Sequence, residues 1–205
     1  MRWLCSVLLL TGVLLADPGR AGPDAGWSDN GVPVAEAVRR YDQRQRYLEF
    51  RQLIQTGQHA RYTAARAELV DYALYPYLEY TYHAYRLSRL TPGLLKEFDA
   101  AYADTPLPRK LRGSWLRHLG KRGSWELLAE HYNPAHASDT LACQYATSLY
   151  RTGKTDAAHA ATRQLWLEGS SQPDACDAPF KLWRGAEQLT PNLAWARFLL
   201  ALEKN

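Results

Sequence analysis

From Val34 onward, apolar residues recur at helical spacing, interrupted by short breaks rich in Gly, Pro and Thr. Ala37, Tyr41, Tyr47, Leu48, Leu53 and Ile54 approximate one stripe, which predicts a helix over Val34 to Thr56, stopped by Gly57. A return helix is expected over His59 to Val70, and a Tyr-rich one over Tyr75 to Arg89. Thr91-Pro92 places an N-cap residue before a proline at the first helical position and opens a helix to about Ala103. The same device recurs at Thr190-Pro191, opening the last helix to Glu203. Between them, helices are expected over Pro108 to Lys121, from Gly123-Ser124 to Tyr132, from Ser138 to Thr152, from Thr155 to Glu168, and from Ala175 to Gln188. No run of four or more residues alternates as a strand would.

About ten helices with short breaks predict an all-α stack of antiparallel hairpins. Leu53-x-x-Thr56-Gly57 is echoed by Leu149-x-x-Thr152-Gly153. At the same offset Ala64-Ala65 matches Ala160-Ala161, and Leu69 matches Leu165. Gly57, Gly123 and Gly153 each separate paired helices, as in an α-solenoid, where each pair buries its apolar face only against its neighbours. The last helix carries no polar capping face, so the solenoid is expected to continue in a longer parent protein.

The N-terminus reads as a signal peptide over residues 1–21. Arg2 supplies the positive start, Leu4 to Leu15 is an apolar run too short to span a bilayer, and small Ala16 and Ala21 follow. The Gly- and Pro-rich residues 22–33 read as a flexible leader, and 34–205 as the folded domain. The expected mature form is periplasmic and without a membrane span. It keeps two cysteines, Cys143 and Cys176, and an even pair in an exported chain points to a disulfide; two buried free thiols are the alternative.

Candidate chemistry is sparse. Glu68, Glu79, Glu97, Asp99, Glu126, Glu130 and Glu168 lie at ordinary helical positions, as solvated faces or ion pairs do. His131 and His136 are five apart across Asn133-Pro134, which breaks the helix a metal pair would need. Ser114 and Ser124 follow Gly but lack the strand context of a nucleophile elbow. No catalytic residue, cofactor site or metal site is assigned. The net charge of +4 is mild, but Arg109, Lys110, Arg112, Arg117, Lys121 and Arg122 cluster with no acid between residues 105 and 125. Trp115 and Trp125 sit beside them. Guanidinium groups pair with carboxylates and indoles stack on sugar faces, so this is the candidate glycan-binding patch; a basic solvated helix face is the plainer reading. Nucleic acid is not an expected partner for an exported chain. The stretch Arg39, Arg40, Arg44, Arg46 and Arg51 is interleaved with Asp42 and Glu49 and reads as a solvated face.

Ala73-Leu-Tyr-Pro-Tyr-Leu-Glu-Tyr80 resembles a segment of the soluble lytic transglycosylases, enzymes that cleave peptidoglycan. Leu165-Trp166-Leu167, Ser171-Gln172-Pro173, Ala175-Cys176-Asp177, Leu182-Trp183-Arg184 and Cys143-Gln144-Tyr145 resemble the same family. The resemblance runs from about Tyr41 to the C-terminus. It implies the first part of a ring-shaped, right-handed α-superhelix, the U-domain, and it implies the Cys143–Cys176 pairing. It further implies a lysozyme-like catalytic domain as a partner and peptidoglycan as the substrate, cut to leave 1,6-anhydromuramoyl ends. The family's catalytic Glu lies in a Glu-Ser motif, and no Glu here precedes a Ser. The chain itself is therefore expected to be a non-catalytic scaffold or substrate-steering element. The competing expectation is a free-standing periplasmic solenoid adaptor that binds protein partners.

Overall fold

A computed structural model describes residues 31–204. The expected signal peptide and nearly all of the leader lie outside the described residues. The chain divides into two compact units, residues 1–46 and 47–205. Of the first, the described part is the start of helix α1 (Val34–Gln55), where Arg40 bonds Glu36 one turn earlier.

Among the described residues, the second unit holds the rest of α1 and nine further α-helices. These are α2 (His59–Ala65), α3 (Tyr75–Ala84), α4 (Pro92–Ala101), α5 (Leu107–Arg122), α6 (Trp125–His131), α7 (Asp139–Arg151), α8 (Thr155–Trp166), α9 (Asp177–Gly185) and α10 (Pro191–Glu203). No strand occurs among the described residues, and none of their helices is long and apolar enough to cross a membrane.

The hairpins are joined by one recurring turn. After α1, α5 and α7, a glycine in the left-handed conformation (Gly57, Gly123, Gly153) ends the helix. The next amide then reaches back five residues: Gln58 to the Leu53 carbonyl at 2.8 Å, Ser124 to Leu119 at 2.9 Å, and Lys154 to Leu149 at 2.9 Å. This is the Schellman arrangement, which satisfies carbonyls the helix leaves free. Ser124 stands at the start of α6, as expected, but its side chain makes no cap hydrogen bond there, and Gly123 closes α5. Thr91 and Thr190 do cap, accepting from the Leu94 and Leu193 amides.

The turn after α9 has the same bonding, Gln188 to the Trp183 carbonyl at 3.2 Å, but Glu187 occupies the left-handed position with φ of 56°. A Cβ there is sterically costly, by about 1 kcal/mol. Glu187→Gly is expected to raise the urea midpoint, with a net gain of about 0.5 kcal/mol after the added flexibility of glycine. An unchanged or lower midpoint would show that the glutamate stem supplies packing that outweighs the strain.

Two expected helices are interrupted. The second tightens after Ala65 into a 3-10 turn over Arg66–Leu69. In that turn residues three apart eclipse, so Arg66 reaches Glu79 while Leu69 enters the core from the same face. The third ends at Ala84 and resumes as a 3-10 turn over Leu87–Arg89. The break falls at Arg86, whose guanidinium folds back over the Tyr82 ring at 4.7 Å.

Burial follows a modular pattern. Phe50, Leu53 and Ile54 of α1 meet Tyr62, Leu69 and Leu78 in a first core. Leu95, Phe98, Leu111, Trp115, Leu128 and Leu141 form a second across α4 to α7. Cys143, Cys176 and Phe180, with Leu165 and Trp166 against them, form a third. Cys143 and Cys176 are joined by a disulfide, with Cα atoms 4.8 Å apart. Separate cores in chain order are what a stack of hairpins produces, since each pair covers its neighbour. Helix α10 is attached differently. Its Arg197 donates to the Trp166 carbonyl at 2.6 Å and lies 4.5 Å over the Trp166 ring, while no α10 residue is buried.

Candidate functional site

Helix α5 places the basic cluster. Leu111, Trp115 and Leu119 recur every four residues and turn inward to the second core. Arg109, Lys110, Gly113, Ser114, Arg117 and Lys121 consequently fall on the outer side. Small Gly113 and Ser114 leave room between the long cations. With Tyr80 of α3 and Ser138 before α7, they line a cavity of about 430 Å³ with Arg109, Lys110 and Arg117. A second cleft of about 240 Å³ is lined by Leu87, His118 and Lys121 and shares Ser114 and Arg117 with the first. The two are therefore contiguous, and no carboxylate lines either among the described residues. Three hydroxyls and four fixed cations face the trough; it can receive an anion and hydrogen-bond a polyhydroxylated body.

Four members of the sequence cluster do not join it. Trp115 is 1% exposed, because Leu-spaced packing draws it into the core against His131. It cannot stack on a ligand. Arg112 turns to the opposite side, where it pairs with Asp99 and ties α4 to α5. Arg122 is exposed in the last turn of α5, where a cation complements the helix dipole. Trp125 is half-buried and folds its indole over the Gly123 turn. Tyr80 and Ser138 belong to the trough and were absent from the sequence-based candidates; only the fold brings them to α5.

A separate cavity of about 440 Å³ lies between α2, α3 and α4. Glu79 stands in its wall, buried, and accepts from the Tyr62 hydroxyl at 2.5 Å and from Arg66 at 2.8 Å. Glu79 thereby ties α3 to Tyr62 of α2 and to Arg66 in the turn that follows it. Burial, and next the Glu79 charge, push the Tyr75 hydroxyl up to about 12; burial and the Glu79 hydrogen bond push Tyr62 further in the same direction. Nearby His83 is held below the usual imidazole range by burial, with Glu79 opposing and Arg66 adding to the effect. Below about pH 6.5 the unfolded chain therefore binds a proton that folded His83 resists, and stability falls as pH drops. His83→Gln is expected to lose less stability than the parent between pH 7.5 and 5.5 in urea titrations. Equal losses would show that His83 does not couple to folding. Among the described residues no group of His, Cys, Asp and Glu is placed to hold a metal ion.

No protein-family model matches the chain. It is 33% identical over 172 residues to soluble lytic murein transglycosylase of Salmonella typhimurium, covering 83% of this chain and 26% of that one. The Escherichia coli protein of the same name matches equally, at 33% over 172 residues. Among solved structures, an inactive variant of the lytic transglycosylase Slt from Pseudomonas aeruginosa superposes with a TM-score of 0.65 at 35% identity, over 77% of this chain and 26% of that one. The 70 kDa soluble lytic transglycosylase of Escherichia coli gives 0.68 at 29%, over 80% and 26%. The same enzyme is also solved in complex with bulgecin A. The chain spans about a quarter of the length of these relatives, and it shares their all-α superhelical fold. From this sustained similarity in sequence and structure, the chain belongs to the soluble lytic murein transglycosylase family, matching its N-terminal region.

Proposed function

We propose that this chain is a non-catalytic, periplasmic superhelical element of a peptidoglycan-cleaving transglycosylase, and that the α5 trough docks and steers the glycan strand. The names of the relatives supply murein as the substrate class. The observation that carries the role is the acid-free trough of Arg109, Lys110, Arg117 and Lys121. Peptidoglycan presents carboxylates on its lactyl-linked peptides beside hydroxyl-rich sugars, and the trough offers cations beside Tyr80, Ser114 and Ser138 hydroxyls. Peptidoglycan cleavage itself belongs, in this reading, to the part of the relatives that this chain does not match.

The test is co-sedimentation with purified sacculi. Arg109→Ala, Lys110→Ala and Arg117→Ala together are expected to reduce pelleting about tenfold at low salt. Parent pelleting should itself weaken as ionic strength shortens the screening length from about 30 Å to about 8 Å. Equal pelleting of variant and parent would remove the trough as the binding site. Incubation with sacculi should release no anhydro-muropeptides; their release would overturn the non-catalytic reading.

The adaptor reading has one observation in its favour. Trp195, Phe198, Leu199 and Leu202 of α10 are exposed at positions that share one helix face. A stripe of this kind suits a helical protein partner.

A further inference from the structure

A third cavity, of about 420 Å³, lies between α7 and α8. On one wall Tyr132 and Tyr145 stack in parallel, with centroids 3.8 Å apart and planes 6° apart. Both rings line the cavity and neither is fully buried. Around them stand Asp139, Gln164, Glu168 and Gln172. Aromatic rings, side-chain amides and carboxylates around one cavity suit a pyranose ring, whose C–H groups pack on aromatic carbon while its hydroxyls find both donors and acceptors. The volume falls in the range of small-ligand cavities.

The charge balance favours a neutral ligand over a cation. Glu168 has Lys204, the residue that follows α10, beside it, 3.9 Å from its carboxylate. Asp139 lies in the first turn of α7, where the helix dipole offsets its charge. The site is also held in advance. Cys143 on α7 is bonded to Cys176, which fixes the loop bearing Gln172 against the helix bearing Asp139 and Tyr145. Its position relative to the cationic trough follows from the sequence. Ser138 lines the trough and the next residue, Asp139, lines this cavity.

We propose that the Tyr132–Tyr145 cavity is a subsite for neutral N-acetylated hexosamine rings of a glycan strand, set beside the α5 trough that receives the strand's carboxylates. The proposal rests on the docking role given above and adds the sugar-reading element to it. A strand lying across both sites would be held by stacking on one side of the 132–138 segment and by charge on the other.

The experiment uses chitotetraose, a soluble tetramer of N-acetylglucosamine without a carboxylate, titrated into isotopically labelled protein and followed by amide chemical shifts. Shifts are expected at Tyr132, Asp139, Tyr145, Gln164 and Gln172, with an affinity that does not change between low and high salt. Asp139→Ala with Gln164→Ala should weaken it about tenfold. Both side chains are exposed, so the fold should persist, and an unchanged far-UV spectrum checks this. No shifts up to about 10 mM sugar, or shifts confined to the α5 face, would overturn the subsite. If sacculi still pellet in a salt-sensitive way under that outcome, the docking role stands and only the subsite falls. If pelleting is also absent, both fall.

Discussion

Cys143→Ser is expected to lower the unfolding free energy by about 3–4 kcal/mol, seen as a fall of roughly 6–16 °C in melting temperature. The bridge spans a sequence separation of 33 residues, and releasing it returns that loop's entropy to the unfolded chain. The folded state loses as well. Both sulfurs lie in the third core beside Phe180 and Trp166, so a serine hydroxyl would be placed where Cys143 has 0% exposure. Cys143→Ala with Cys176→Ala separates the two effects, since it removes the loop constraint without adding a polar group. Because the chain buries its apolar surface in separate cores, damage should stay near the bridge. Hydrogen exchange at α7 to α9 should accelerate, while the Phe50–Leu78 core keeps its protection. An unchanged melting temperature, with both cysteines alkylatable in the native parent, would show that the bridge does not form.

Local chemistry was legible in the sequence; partner choice was not. Thr91-Pro92 and Thr190-Pro191 announced two helix starts because capping needs only residues within one turn. Gly57, Gly123 and Gly153 announced three turns because a left-handed position without glycine is costly. Glu187 takes the same conformation without that signal, so the expected helix to Gln188 ends early at Gly185. The basic cluster was found as a composition, but its division into faces depends on the helix wheel. Leu111, Trp115 and Leu119, four apart, already marked Trp115 as an inward residue. The diversion of Arg112 to Asp99 could not be read, because the two meet only when α4 folds onto α5. The stacking of Tyr132 on Tyr145, and hence the third cavity, is tertiary in the same way.

Glu79→Ala is expected to cost about 2–4 kcal/mol, a large effect for one carboxylate on a helix. The reason is Tyr62, which is 0% exposed and donates a hydrogen bond from its hydroxyl to Glu79 at 2.5 Å. Without the acceptor, that hydroxyl is buried and unsatisfied inside the first core. The Arg66 contribution is smaller, because its side chain is 42% exposed and recovers water when the pair is broken. Glu79→Gln should cost less, since an amide oxygen still accepts from Tyr62 and only the charge is lost. Tyr62→Phe should cost about 1 kcal/mol alone, yet should partly rescue Glu79→Ala by removing the orphaned hydroxyl. The double-mutant cycle therefore gives a coupling energy of about 1–2 kcal/mol between residues 62 and 79. Zero coupling, or a Glu79→Ala midpoint equal to the parent's, would mean that water replaces the carboxylate. In that case α2 and α3 would be held by apolar and ring packing, with Tyr62 and Leu78 in the first core and the Tyr62 ring 5.3 Å from that of Tyr82. The same cycle bears on function, because α3 also carries Tyr80 to the α5 trough. A loosened α2–α3 clasp that leaves sacculus binding intact would show that Tyr80 is positioned by α5, with which α3 packs directly.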